Sequence, residues 1–409
     1  MTQPKAVMPV QYKDQDKIFP SSFSYHEELR LDYSDQSRYL IAEKLGYGKY
    51  SDVFKGYDRD DPVPIVIKVL KPVRMAKVYR EVKILTDLLG GPFVMKLKDV
   101  VSVKNSDYPA FIMEFGGDCL QSLTNLNLKQ LKLIAGQLLL ALHWCHIHSI
   151  IHRDVKGGNI CFNTQTNRLT LLDFGLAEFY SYGKQLHHRV ATRHYKPPEL
   201  LCNYQLYDYS LDIWSTGAML AGFLFQRNPF FRGTTNNNQL DKVVEILGSA
   251  DFIAMTKKYS IDLGAQRMRE LSGYQPANFK SFINSDNQHL IDSNLIDLLQ
   301  QMLKYDPEKR PTAENCLKHR WFDDVRQDLA KLYIHEFADI ENHLKTEFKL
   351  IPKPCFPSYE YAEGTKYPVP LSPNELANEF IFDENRWINA WTEFQKRTNQ
   401  IGAAIQKGE

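Results

Sequence analysis

The chain has almost no net charge: 50 Lys and Arg stand against 49 Asp and Glu over 409 residues, which leaves +1. That balance excludes a generic nucleic-acid or membrane-surface coat, so recognition by charge must come from local clusters. The six cysteines (119, 145, 161, 202, 316 and 355) include no CxxC pair. Their scatter argues against a disulfide frame and fits free thiols in a reducing compartment. The opening MTQPKAVMPV lacks a basic region followed by an apolar run, so no secretory signal is expected. The most apolar long segment, LDIWSTGAMLAGFLF at 211–225, is short of a bilayer span and carries Asp212 near its start. A buried helix is expected there. No internal repeat is visible. The expectation is a cytoplasmic or nuclear protein with neither nucleic-acid nor membrane partners, and its 43% hydrophobic residues can fill a sizeable core.

Residues 1–35 are polar and aperiodic and read as an N-terminal arm. From Arg38 to about Leu70 the pattern is strand-like, through RYLIAEKLG, SDVFKGYD and PIVIKVL. MAKVYREVKILTDLL reads as a helix with Val78, Val82, Leu85 and Leu89 on one face. VMKLKDVVSV and PAFIMEF read as strands, KQLKLIAGQLLLALHWCHIHS as a long helix, and NRLTLLDFG as holding a short strand. Residues 209–345 are mostly helical, with Asn236-Asn237-Asn238 read as loop. This order predicts an α+β fold: a β-rich lobe at 36–115, a mainly helical lobe at 116–322 and a hinge near 114–118. A helical extension follows at 323–409. Its Val325, Leu329, Leu332, Phe337, Ile340, Leu344 and Phe348 form a helix-like stripe, of the kind that packs on the domain or docks a partner. Ser372-Pro373-Asn374-Glu375 reads as a helix start, and Leu376, Phe380, Trp387, Trp391, Phe394, Ile401 and Ile405 recur after it at near-helical spacing.

The chemistry concentrates in a few stretches. In GYGKYSDV, Gly46 and Gly48 can bring backbone N–H groups close to phosphates; alone they fit a tight turn equally well. The strand-like DVFKG after them favours a hairpin flap over a dinucleotide-binding helix. Lys68 lies in a strand, and Glu81 shares the inward face of its helix with Val78, Val82 and Leu85. A carboxylate there is costly unless paired, and Lys68 is its natural partner. Such a pair can aim the ammonium at a phosphate. IIHRDVKGGNI (150–160) places Asp154 to orient a hydroxyl or take its proton, and Lys156 to balance charge on a transferring phosphoryl group. In the same stretch Asn159 can meet a hard cation. Asp173, in Asp-Phe-Gly, supplies a second carboxylate suited to Mg2+. His143, Cys145, His146, His148 and His152 superficially resemble a metal cluster, but they span a helix end and the loop after it.

Glycine flap, Lys68, Glu81, HRD with Asn159 and DFG stand in the order of the protein-kinase set. The chain resembles a eukaryotic protein kinase over about 36–322, and closely the casein kinase II catalytic-subunit family. The carrying residues are LGYGKYSDVF (45–54), VIKVLKPV (66–73), REVKIL (80–85), HRDVK (152–156), LLDFGLAEFY (171–180), RVATRHYKPPELL (189–201) and YDYSLDIWS (207–215). DNQHL (286–290) and YDPEKRPTA (305–313) extend it. The resemblance implies a bilobal protein-kinase-like fold and a Ser/Thr kinase that uses ATP, or GTP, with Mg2+ and prefers hydroxyls followed by acidic residues.

It also implies roles one residue at a time. Lys68 positions phosphates, Glu81 holds Lys68, Asp154 and Lys156 act on the transferring group, and Asn159 and Asp173 bind Mg2+. Met113 lies at the back of the nucleotide pocket, Glu114 and Gly116 on the hinge, and Leu45, Val53, Val66 and Cys161 around the base. Asp212 holds the catalytic loop, and Glu199 pairs with Arg310. No phosphorylation of Tyr180, Ser181 or Thr192 is needed, because the family's N-terminal segment packs on the activation segment.

Acidic protein substrates are expected at Lys49, Arg74, Lys77, Arg80, Arg189, Arg193 and Lys196, since basic side chains suit carboxylates. A solvated charged face is the plain alternative for Arg74 and Lys77. A regulatory β-type subunit is expected on an N-lobe groove of Tyr39, Ile41, Phe54, Ile67, Val69, Val101 and Ile112, unless these form sheet core. The chain departs from the family at Gly157-Gly158, where Pro-His is usual, and at Arg74-Met75-Ala76-Lys77, where a lysine run is usual. Both departures predict weaker acidic selectivity. A proline-directed kinase and a non-catalytic scaffold acting through the extension are the alternatives.

Overall fold

The computed structural model describes residues 39–347 except Pro62, Asn105 and Asn125, together with 5–8, 24–26, 29, 31 and 33–38, with side chains as far as Glu336. The expected helix from Ser372 onward, and the part of the stripe at Phe337, Ile340, Leu344 and Phe348, lie outside the described side chains.

The front lobe is a five-stranded antiparallel sheet in the order β1-β2-β3-β5-β4. Its strands are β1 (Tyr39–Tyr47), β2 (Ser51–Asp58), β3 (Pro64–Leu70), β4 (Leu97–Val101) and β5 (Ala110–Glu114). In β3 the period of two divides the side chains. Ile65 and Ile67 pack outward with Val101, Ala110 and Ile112, while Leu70 and the partly buried Val66 join the main core. Sheet core therefore accounts for Ile67, Val101 and Ile112 of the expected outer groove; Tyr39, Phe54 and Val69 only lean on that cluster, and Ile41 is 58% exposed.

Helix α1 (Met75–Asp87) crosses the inner side of the sheet and buries Val78, Glu81, Val82 and Leu85. The apolar stripe then continues through Leu88 rather than Leu89. The helix closes at Asp87, and its C-cap Leu88 turns inward to 1% exposure.

After β5, the short strands β6 (Asp118–Cys119), β8 (Ile160–Asn163) and β9 (Arg168–Leu171) form a three-stranded sheet, and β7 (Ile150–Ile151) pairs with β10 (Glu178–Phe179). These two small sheets roof the helical lobe. Its axis is α2 (Leu128–Ile147), opened by a reciprocal Asn127–Gln130 capping box and buried at every residue from Leu131 to Ile147. A helix apolar all round belongs at the centre of a domain. The remaining helices are α3 (Pro198–Leu201), α4 (Ser210–Leu224), α5 (Asn236–Leu247), α6 (Ala250–Lys258), α7 (Ala265–Glu270), α8 (Ser293–Met302), α9 (Ala313–Leu317) and α10 (Arg326–Glu347). Helix α4 is the buried helix expected at 211–225. No helix among the described residues is long and apolar enough to cross a membrane.

The asparagine run, read as loop, instead opens α5. Thr235 caps the helix by accepting the N–H of Asn238, and Gln239, Leu240, Val243 and Val244 bury the face that follows. The cap and the apolar spacing outweigh the weak helix propensity of asparagine.

At the N-terminus Val7 is 1% exposed, and its N–H donates to the Leu206 carbonyl at 3.0 Å. His26 stacks on Phe179, with ring centroids 6.3 Å apart. These described points of the arm lie on the helical lobe.

Burial pushes the imidazoles of His143 and His148, on and just after α2, down from 6.5 to about 4. Both are bases held below their unfolded value, so the unfolded chain binds protons that the folded chain refuses between those limits. Their contribution is complete above pH 6.5 and is lost as pH falls toward 4. In His148→Gln the slope of unfolding free energy against pH across that window should fall by about one proton equivalent, measured by urea titration at stepped pH.

Candidate active site

Strand β3 and helix α1 meet at one ion pair. Lys68 Nζ lies 2.6 Å from Glu81 Oε1 and 3.1 Å from Asp173 Oδ1, and Lys68 and Glu81 are 9% and 7% exposed. Burial opposes the charge of Lys68, but the carboxylates of Asp173 and Glu81 more than restore it. The Lys68 ammonium in turn holds the Asp173 carboxyl at about 2, so Asp173 is an anion at any ordinary pH. Its backbone is left-handed, with φ 58°. Such non-glycine strain collects where a side chain must be aimed. Phe174 is fully buried and meets His152 edge-on, at 4.9 Å between centroids, which fixes Asp173 facing the cleft.

The loop between β7 and β8 is hung from α4. Asp212, fully buried, accepts the N–H groups of His152 and Arg153, each at 2.9 Å, and lies 3.0 Å from His146 Nε2. His152 Nε2 lies 2.9 Å from the Leu172 carbonyl. The loop thereby presents a closed set of polar contacts. Asp154 Oδ1 accepts both the N–H and the hydroxyl of Thr192 at 2.8 Å, while Oδ2 accepts from Lys156 Nζ at 2.6 Å and Asn159 Nδ2 at 3.0 Å. Lys156 also reaches Thr192 Oγ1 at 3.1 Å. Because the amide nitrogen of Asn159 is committed to Asp154, its carbonyl oxygen is the end left for a cation. Thr192, which no motif in the sequence singles out for the site, is thus a partner of the Asp154 carboxylate.

No motif in the sequence singles out Glu178 either. Glu178 Oε2 receives Arg80 at 2.7 Å and Arg153 at 3.3 Å. It ties α1, the catalytic loop and the activation segment together with an unmodified side chain. Arg80, expected on the substrate surface, is held inward by this pair, and it also donates to the Gly175 carbonyl at 3.2 Å. Lys196 is also drawn inward: it is 7% exposed, and its ammonium donates to the Val190 carbonyl at 2.6 Å. Arg189 and Arg193 are exposed beside the Thr192 turn, and Arg74, Lys77 and Lys49 are exposed near the flap. Lys49 and Lys77 both lie over the Tyr50 ring, at 5.3 and 5.5 Å.

The cleft walls follow from strand register. Val53 lies opposite Lys68, Val66 opposite Met113 and Gly46 opposite Val53. Directly opposed residues share a face, so Val53, Val66, Lys68 and Met113 lie on one side of the sheet. Leu45 stands at the open edge, 45% exposed. The flap is fastened by the Gly48 N–H to the Ser51 carbonyl at 2.8 Å and by Lys71 Nζ to the Gly48 carbonyl at 2.9 Å. On the hinge after Glu114, a Cβ on Gly116 would meet Thr170 at 2.9 Å and Cys161 at 3.3 Å. Glycine lets the hinge lie flat on β8 and β9. Burial pushes the Cys161 thiol up to about 12, so it is a neutral wall.

The double glycine packs close to its neighbours, but only against side chains that can yield. A Cβ on Gly157 would sit 3.1 Å from the Phe223 ring, and one on Gly158 would sit 3.2 Å from Gln121 Oε1. Among the described residues no His, Cys, Asp or Glu group could hold a metal by itself. Glu199 and Arg310 form a fully buried bidentate pair, with both contacts at 2.7 Å.

Residues 39–322 match the protein kinase domain. The chain is also similar to a probable serine/threonine-protein kinase of Dictyostelium discoideum, 39% identical over 320 residues, which are 78% of this chain and 53% of that relative. It thus spans about half the length of that relative.

Glu178→Gln should lower stability by up to about 3 kcal/mol, because Arg80 and Arg153 lose the carboxylate between them. Activity should fall with it, which thermal unfolding and rate assays on the same preparation check. Gly158→Ala should raise stability by about 0.4–1 kcal/mol in urea titration, since only a movable side-chain end must yield. Gly157→Ala should gain less, because the Phe223 ring must shift.

Proposed function

The chain belongs to the protein kinase family, and from that premise we propose that it transfers the γ-phosphoryl group of ATP, or GTP, to serine or threonine hydroxyls of proteins in acidic contexts. The convergence of Lys68, Asp173, Asp154, Lys156 and Asn159 on one cleft, with Glu81 turned inward, carries this reading. A chain kept only as a scaffold has no need of that geometry.

The residues fit a magnesium nucleotide. Asp173, anionic throughout the working range, and the carbonyl oxygen of Asn159 are hard oxygen donors of the kind Mg2+ takes. The ion supplies neutralisation of charge on the phosphate oxygens. Lys68 would draw the phosphates toward the sheet, beneath the glycine flap. Val53, Val66, Met113 and Cys161 enclose the base, and the hinge backbone at Glu114–Gly116 offers it hydrogen bonds. Asp154 orients the incoming hydroxyl and takes its proton. The hydroxyl oxygen bonds to the γ-phosphorus as the bond to the bridging oxygen breaks, and Lys156 offsets charge on the group in transit.

Acidic preference is supported by Arg189 and Arg193 beside Thr192, and by Lys49, Arg74 and Lys77 across the cleft. With Arg80 and Lys196 committed internally, the basic surface is thinner than the sequence suggested, which favours modest selectivity. Ile41 and the aromatic edges of Tyr39 and Phe54 are what remains to meet a regulatory β-type partner on the front lobe.

Purified chain with Mg-ATP should phosphorylate acidic peptides faster than proline-containing ones, and Asp154→Ala should lose about 10²–10⁴-fold in rate. No turnover by the wild type would sink the enzymatic reading, and equal rates on peptides neutral at +1 and +3 would sink the acidic one. Arg193→Ala should raise KM for acidic peptides about tenfold and leave neutral ones unchanged.

A further inference from the structure

One buried carboxylate plays no part in the chemistry above. Glu336, on α10, is 2% exposed and forms a bidentate pair with Arg168 at the head of β9; its Oε2 lies 3.0 Å from Nη2. The same oxygen lies 3.4 Å from the backbone N–H of Phe93, between α1 and β4. Phe93 has φ 60°, a conformation unfavourable for an aromatic residue, and its carbonyl accepts the Leu171 N–H of β9 at 2.7 Å.

From Arg168 two contacts run toward the hinge. Nη2 lies 3.4 Å from Glu114 Oε1, and Nη1 donates to Thr170 Oγ1 at 2.9 Å. Glu114 ends β5, and its carboxylate also takes the Lys96 N–H at 3.3 Å. Thr170 is the side chain on which Gly116 rests. The strand that Arg168 opens leads directly to Asp173.

The carboxylate arrives on a docked helix. Leu329 of α10 lies over Gly136 of α2, where a Cβ would come within 2.5 Å of it, and Tyr333 is 2% exposed. Lys132 meets Asp324 at 2.8 Å and Lys129 meets Asp328 at 2.6 Å.

We propose that Glu336 is a positioning residue for the nucleotide: through Arg168 it sets the hinge at Glu114 and Gly116 against β9, so that α10 is a working part of the cleft. Without Glu336, Arg168 keeps only the Glu114 carboxylate and swings toward it, shifting the hinge. The Asp154–Lys156–Asn159 group is untouched. The proposal rests on the nucleotide-binding reading of the cleft.

The test uses the full chain with Glu336→Gln and Glu336→Asp, nucleotide binding by calorimetry with Mg-ATP, peptide kinetics and thermal unfolding. The expected result is a rise of about fivefold or more in Kd and in KM for ATP. The kcat at saturating ATP should stay within about twofold. Arg168→Met should give the same rise, and adding it to Glu336→Gln should bring nothing further. The aspartate, one methylene short of spanning Arg168 and Phe93, should weaken binding too, and it carries the test if the glutamine variant does not fold. Unchanged Kd in folded variants overturns the proposal. So does a fall in kcat with KM unmoved, or failure of both variants to fold, because Glu336 is then a stability residue. A wild type that binds no nucleotide overturns the kinase reading and this one with it; a wild type that binds while the variants match it overturns this one alone.

Discussion

A lysine ammonium withdrawn from water must be met by carboxylate oxygens, and most of the site's architecture follows from meeting Lys68. Its two partners come from different elements, Glu81 from α1 and Asp173 from the turn just after β9. The pair Lys68–Glu81 exists only when α1 packs inward, and that packing is driven by Val78, Val82 and Leu85 on the same face. The apolar stripe thus supplies the energy, and the buried ion pair supplies the alignment. Buried pairs stabilise little in themselves, but leaving one partner alone is costly, so such a contact enforces one arrangement of lobes.

The same logic recurs at Glu178, Asp212 and Glu199. Each is a carboxylate shared by groups distant in sequence. Glu178 joins Arg80 to Arg153, Asp212 holds the N–H groups of His152 and Arg153, and Glu199 grips Arg310. A phosphate is the usual means of gathering arginines around an activation segment; here the Glu178 carboxylate does so with the chain unmodified. Glu336 extends the series to the back of the hinge, where a helix beyond the matched kinase domain delivers the charge. The extension is in that respect continuous with the fold, as its apolar stripe at Val325 and Leu329 foreshadowed.

Much of this was legible along the chain because the signals are local. Clusters of β-branched and aromatic residues marked β2 and β3 with their observed bounds, the 3.6-residue stripe marked α1, and HRD, DFG and the paired Lys68 and Glu81 pointed to the chemistry. Local signals fall short where a cap decides against propensity, as Thr235 does at Asn236, and where a side chain's direction depends on elements far away. Arg80 and Lys196 look like surface cations in sequence. Only packing against Glu178 and the Val190 carbonyl turns them inward. How closely Phe223 and Gln121 approach Gly157-Gly158 is likewise decided by packing alone.

The sequence by itself determined which residues can do chemistry, since residue type and short-range order decide what can carry charge, accept a proton or hold a cation. It also determined the two-lobed order of strands and helices, because hydrophobic period is a local property. The tertiary structure alone decided which cations remain free for a partner, which hydroxyl meets Asp154, and that α10 touches the hinge through Arg168. Those are contacts between residues tens to hundreds of positions apart, chosen by the packing of the whole core and written in no local pattern.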